Sequence, residues 1–302
     1  HKIIEDLANK IEQAQQHLNG QERFDQAQKN ALRELDAQDS LNTPQRETFK
    51  TNINQATTLD GLDQELQKAK ELNTAMKLMR ESIADQDDIR HSSNYTNEDP
   101  AQQHTYEEAV NNVNAIISEN TATMDPQTIN QTTQAVANAK RGLQGDQKLQ
   151  DAKNNAKQEI QNSTGLTDVQ KQTLNNAIDQ LTNRPSVSKK LQDAKYLNSK
   201  MEELKATIAK APAIRQSSNY INEDTPEKET YNNSINKGQS IIDAQTDPTL
   251  DGGAISNVIT EIDSAEKGLH GADKLQQAQN HAIIEVNGLD ALNPAQKAKE
   301  RD

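Results

Sequence analysis

Two acidic clusters, Asn97-Glu98-Asp99 and Asn222-Glu223-Asp224, offer oxygen ligands of the kind a hard cation such as calcium takes. Neither has the spaced ligands and central glycine of an EF-hand loop, and aspartate is a common residue at a helix start, so helix capping is the expected role. The histidines His1, His17, His91, His104, His270 and His281 fall at unrelated places in the repeat described below, which argues against a repeated metal site. No Ser, His and Asp constellation recurs, and no glycine-rich phosphate loop follows a strand. Tyr106 and Tyr231 sit on apolar seams and read as core, since base stacking needs exposed aromatics beside Lys or Arg. The stretch DGGAIS at Asp251 reads as a loop and cap. Lys195, Lys200, Lys205 and Lys210 step by five residues and so walk around a helix as a solvated surface. The sequence therefore assigns no catalytic, cofactor-binding or metal-binding residue, calls for no cofactor, and does not read as an enzyme.

Elements poor in large side chains must position whatever function exists. The 302 residues are 32% hydrophobic and 2% aromatic, with no Trp and no Cys, and the formal net charge is −13. Absence of Cys removes disulfides, thiol catalysis and thiolate-bound metals together. The acidic balance argues against nucleic acid, which demands a basic face. No apolar run approaches the ~18 residues of a membrane span, and no signal peptide stands at His1. The apolar residues are strongly periodic, so many small helical cores fit better than disorder.

The nonapeptide SSNYTNEDP at Ser92 returns as SSNYINEDT at Ser217. Around it Gly20, Ala31, Leu41, Gln45, Ile53, Leu72, Met76 and Ile83 return as Gly145, Ala156, Leu166, Gln170, Ile178, Leu197, Met201 and Ile208, the signature of a tandem array. The register later slips by one residue between Ile117 and Met124, as befits a loop, because an insertion in a helix rotates every later side chain by about 100°. Tyr106, Val110, Val113 and Ile117 step as one face of a helix, repeated by Tyr231, Ile235, Gly238 and Ile242. This helix begins at Asp99-Pro100 in one copy and Thr225-Pro226 in the other, an N-cap followed by proline. Gly145 before Asp146 reads as a glycine C-cap followed by an N-cap. From Ser186 to Ala211 an apolar seam runs unbroken for about 25 residues, or about 37 Å, which is too long for one small bundle. Its halves are expected to serve two successive bundles.

The fold expected is all-α: an elongated tandem array of three-helix bundles joined by long shared helices. Six segments follow: 1–20, a lone third helix with Ile4, Ile11 and Leu18 in the places of Ile129, Val136 and Leu143; bundles at 21–73, 74–145, 146–198 and 199–270; and a partial bundle at 271–302. The incomplete end modules suggest a piece of something longer.

The bundles at 21–73 and 146–198, with LQDAKNNAKQEIQNSTGLTDVQKQTLNNAIDQL in the second, and the partial bundle at 271–302 resemble the GA module of bacterial albumin-binding proteins. Those at 74–145 and 199–270, and the third helix at 1–20, resemble the FIVAR module. Their alternation is similar to that of giant staphylococcal cell-wall proteins of the extracellular-matrix-binding family. The resemblance implies a repeat segment of an extracellular, cell-wall-associated surface protein, with anchor and signal outside it, acting as a structural spacer and adhesion element. The alternative is a module that binds host plasma or matrix proteins (albumin, fibronectin) or cell-wall glycan. Partners so implied are the neighbouring repeats of the chain and a weakly held host protein, with no nucleic acid and no membrane insertion; the segment itself is expected to be a monomer. In albumin-binding GA modules the resemblance places the contact on the second helix and its preceding loop. Here that helix shows Lys171, Gln172, Asn175, Asn176 and Asp179 outward, and Phe49 of the other copy is expected to be buried, so no aromatic anchor is left and weak albumin binding is expected. Within the repeat, Gly238 replaces Val113 on a seam, and Gly238→Val is expected to stabilise unless neighbours have grown into the space.

Overall fold

The computed structural model describes residues 1–118, 120 and 122–301, and the chain divides into two compact units, His1–Lys148 and Leu149–Asp302. The first unit holds α1 (Lys2–Gln16), α2 (Gly20–Asp36), α3 (Thr43–Gln55), α4 (Leu59–Ser82), α5 (Gln86–His91), α6 (Ser93–Thr96), α7 (Pro100–Ile117) and α8 (Pro126–Gly142). Helix α9 (Gly145–Asn162) crosses the division. The second unit continues with α10 (Asp168–Asp179), α11 (Arg184–Ala209), α12 (Ala211–Arg215), α13 (Ser218–Ile221), α14 (Thr225–Asp243), α15 (Gly252–Lys267), α16 (Gly271–Asn287) and α17 (Pro294–Lys299). Among the described residues there is no strand.

The long shared helix is present in each unit. Thr58 accepts a hydrogen bond from the Gly61 N–H at 3.1 Å to start α4, and Asn183 does the same for Ser186 at 2.8 Å to start α11. The 26 residues of α11 then run without interruption to the turn before Pro212. In the first unit, α4 gives Leu62, Leu66 and Ala69 to the bundle made with α2 and α3, where Leu35, Phe49 and Ile53 are buried. Its second half gives Met76 and Met79 to the bundle made with α7 and α8, where Tyr106, Val110, Ile129 and Val136 are buried. One continuous core results. In the second unit α11 carries Val187, Ala194 and Leu197 beside Ile160 of α9 and Ile178 of α10, then Met201 and Leu204 beside Tyr231 of α14 and Ile259 of α15. Complete burial of such a side chain contributes about 1.5–3 kcal/mol, so these small cores rely on Leu, Ile, Val and Met.

Other expectations change. Ile4, Ile11 and Leu18 are exposed, whereas Ile129, Val136 and Leu143 are buried. Helix α14 begins at Thr225 with Asp224 in the N-cap position, one residue earlier than expected. Asp251 does cap α15, accepting from Gly253 N–H at 2.8 Å, but the Gly252-Gly253 pair is already helical. Gly145 is not a C-cap: it is the first residue of α9, Leu143 ends α8, and no glycine has a positive φ. The space beside Gly238 is filled, for a Cβ there would meet the Cδ1 atoms of Ile208, Leu204 and Ile262 at 2.9, 3.1 and 3.3 Å. The register slip was placed on a stretch that includes Glu119 and Thr121, which lie outside the described residues. No helix among the described residues is long and apolar enough to cross a membrane.

Candidate functional site

The repeated SSNYxNED segment folds on itself before it touches anything else. Ser92 accepts from the Tyr95 N–H at 3.2 Å and donates to the Ile89 carbonyl at 2.6 Å, turning the chain from α5 into α6. Asn97 donates back to the Ser93 carbonyl and hydroxyl at 3.2 and 3.1 Å. Ser217 and Asn222 make the same bonds in the second unit. Tyr95 and Tyr220 stand edge-on to the buried rings of Tyr106 and Tyr231, with centroids 5.9 and 6.1 Å apart, and hold the turn to the core.

The turn so fixed presents Asn94, Glu98 and Asp99 to the start of α9, and its copy presents Asn219, Glu223 and Asp224 to the start of α16. Asn94 Oδ1 accepts from the Asp146 N–H at 3.2 Å and its Nδ2 donates to the Leu143 carbonyl at 2.7 Å. The Gln144 N–H donates to Glu98 Oε2, and Lys148 Nζ reaches Glu98 Oε1 and, at 2.5 Å, Asp99 Oδ2. In the second unit the Ala272 N–H donates to Asn219 Oδ1 at 3.2 Å, His270 N–H donates to Glu223, and Lys274 bridges Glu223 and, at 2.5 Å, Asp224. Both glutamate side chains are fully buried. Between these bonds lies a glycine with no room for a side chain: a Cβ on Gly145 would stand 2.3 Å from the Asn94 carbonyl oxygen, and one on Gly271 2.5 Å from that of Asn219. The N–H groups of a helix's first turn lack intrahelical acceptors. Here a neighbouring turn supplies two of them.

Burial works against the Glu98 carboxylate, but the Lys148 ammonium and the Gln144 and Asp99 N–H groups outweigh it and hold its pKa below the ordinary range. At Glu223 the Lys274 ammonium is the largest influence, followed by the N–H groups of Asp224 and His270, and the pKa falls to about 2. Lys148 and Lys274 are correspondingly raised by their two carboxylate partners. Asp99 and Asp224, the expected caps, make no capping bond to α7 or α14; Glu98 and Glu223 accept from the N–H groups of those aspartates instead. Oxygens of Glu223, Asp224 and Glu227 approach within 4.8 Å of one another, yet the Lys274 ammonium already holds two of these carboxylates where a metal would need them.

A second buried contact joins each first bundle to the loop of the bundle that follows. Asn42 and Gln45 form a reciprocal capping box at 3.0 Å each way, and Gln45 Nε2 then donates to the Thr123 carbonyl at 2.7 Å. Thr167 and Gln170 repeat the box, and Gln170 donates to the Thr249 carbonyl at 2.8 Å. Neither glutamine is exposed to solvent. The recurrence of Gln45 as Gln170 and of Gly145 and Lys148 as Gly271 and Lys274 is visible in the sequence, but the direction of these side chains is not.

A family model described as GA module matches residues 21–75, 146–200 and 272–302, and one described as FIVAR domain matches 75–144 and 200–270. The chain is 35% identical over 98% of its length to the extracellular matrix-binding protein ebh of Staphylococcus aureus strain MRSA252. It is 36% identical over 97% of its length to EbhA of strain Newman. The chain belongs to the Ebh-type family of alternating FIVAR and GA modules. It spans only 3% and 8% of the length of those two relatives. The crystal structure of an EbhA domain from S. aureus aligns at a TM-score of 0.67 and 25% identity, covering 74% of this chain and 89% of that one. A solved structure described under Embp-mediated adherence of Staphylococcus epidermidis to fibronectin is 57% identical over 41% of this chain, with a TM-score of 0.41. In these terms the glutamate turn closes each FIVAR module onto the start of a GA helix. The glutamine box closes each GA module onto a FIVAR loop.

Proposed function

We propose that this segment is a structural spacer of an extracellular, cell-wall-associated protein, with module boundaries at 1–20, 21–73, 74–145, 146–198, 199–270 and 271–302, and that its GA modules act as connectors instead of albumin receptors. It is monomeric and non-catalytic in this reading. The observation that carries it is the burial of Gln45 and Gln170. The loop and helix start that the GA resemblance assigns to albumin are occupied here: Leu41, Asn42 and Leu166 are buried, and both glutamines donate into a FIVAR loop. The outer face of that helix is also engaged within its own bundle. Arg46 donates to the carbonyls of Leu35, Asp36 and Gln38, Lys171 to that of Gln161, and Asp179 pairs with Lys157 at 2.7 Å. Phe49 is buried, so no aromatic anchor remains there.

Calorimetric titration of the whole chain with serum albumin tests this. The expected outcome is a dissociation constant no better than about 10 μM, equivalent to about −7 kcal/mol. Saturable binding tighter than about 1 μM would make the GA modules receptors. A matrix ligand is the second reading, favoured by the name shared by the relatives, and retention of a defined host protein from plasma by the immobilised chain would support it.

A further inference from the structure

The glutamate turn treats the residues of the docked helix unequally. It contacts the residue before the glycine, Gln144 or His270, through the main-chain N–H, and the second helical residue, Asp146 or Ala272, in the same way. Those side chains differ between the two junctions because nothing in the contact depends on them. The first residue is glycine both times, where the Asn94 and Asn219 carbonyls exclude a Cβ. The fourth is lysine both times, and its ammonium neutralises a fully buried carboxylate.

We propose that the SSNYxNED turn of a FIVAR module is a recognition site for the start of an α-helix that has glycine at its first position and a cation at its fourth, and that it thereby selects a GA module as successor. The inference rests on the connector reading above and adds the rule by which the connection is chosen. Helix α2, the first helix of the remaining complete GA module, obeys the same rule with Gly20 and Arg23, and its glycine faces open space. Helix α15 also opens on glycine, but Ile255 stands at its fourth position and no glutamate turn receives it. Arginine at position 23 fits the rule if the fourth position is read by charge and not by lysine shape, which the Lys274→Arg variant below decides.

Amide hydrogen exchange on the full chain tests the rule at His270 and Ala272. Lys274→Arg is expected to leave their exchange within about threefold of the parent, whereas Lys274→Met and Gly271→Ala accelerate both by about tenfold or more through local opening. Amides of residues 143–148 stay unchanged as the internal control. Should Gly271→Ala loosen the whole second unit, the Lys274 pair decides the matter, because that side chain is partly solvent-exposed. Unchanged protection in Lys274→Met, or equal damage from arginine and methionine, overturns the rule. Tight albumin binding would defeat the connector reading while leaving these exchange rates as they are, so the two failures are separable.

Discussion

The two FIVAR modules are copies whose junctions agree and whose interiors do not. Around the seam, Val113 in the first module stands where Gly238 stands in the second; the larger Ile262 takes the place of Val136, and Leu204, of the same volume as the Met79 it replaces, turns its Cδ1 toward the glycine. At the edge, Arg90 forks onto Glu107 at 3.0 and 2.8 Å and Tyr95 O–H donates to the same carboxylate at 2.9 Å. The second module replaces Glu107 by Asn232, which accepts from Arg215 at 3.0 Å and donates to Tyr220 Oη at 2.8 Å. Packing tolerates exchange of volume between neighbours and an edge tolerates exchange of charge for amide, provided the donors are met. A buried carboxylate facing a helix start has no such substitutes.

Trading the seam residues between the modules tests this difference most severely. Val113→Gly lacks the compensating side chains of the second module and is expected to lose about 3 kcal/mol from cavity and helix-propensity effects together. Gly238→Val overpacks Ile208, Leu204 and Ile262 and is expected to lose about 1–3 kcal/mol, with Ile262→Val restoring part of it. Denaturant unfolding of the whole chain, followed by amide exchange in α7 and α14, measures both; a stabilising Gly238→Val would show that the seam can still relax.

Acid separates the junctions by a smaller margin. Both glutamates titrate lower in the folded chain than in the unfolded one, so their stabilising contribution is present above the ordinary carboxylate range and is lost as pH falls through the folded value. For Glu223 that loss extends down to about pH 2. At Glu98 burial is the largest influence and at Glu223 it is the Lys274 ammonium, so residues 143–148 are expected to open before residues 269–274 on acidification, as read by amide protection across pH 5 to about 2. Simultaneous opening would mean that the two sites are electrostatically equal.

The smallest effect belongs to the edge. Glu107→Gln is expected to remove no more than about 1 kcal/mol, and the loss shrinks further in high salt because the pair is partly solvated. Asn232→Ala in the second module removes a neutral amide from Arg215 and so breaks no ion pair, and is expected to show little salt dependence.

Periodicity made the helices legible, down to the unbroken seam of α11, and Asp251 read correctly as a cap, because those signals are local to a few residues. The glutamate turn was legible only as a recurrence. An acid beside the start of α7 looks like a cap of α7, and nothing nearby in sequence says that Glu98 turns instead toward Gln144, 46 residues on. Gly238 stayed open in the sequence for a related reason: whether a glycine leaves a void depends on the reach of Ile208 and Ile262, which lie on two other helices. At Gly145 the sequence signal is ambiguous, since close approach and left-handed backbone favour the same residue, and the structure has the close approach.

The shared helices have a consequence for how such genes change length. A crossover that joins the middle of α4 to the corresponding point of α11 deletes one repeat and leaves Gln45 with an equivalent acceptor, because the FIVAR loop gained in the exchange presents the Thr249 carbonyl in place of that of Thr123. The reciprocal product gains a repeat with every turn still matched to a Gly-x-x-Lys start. Copy number can therefore change by recombination without any new interface having to evolve.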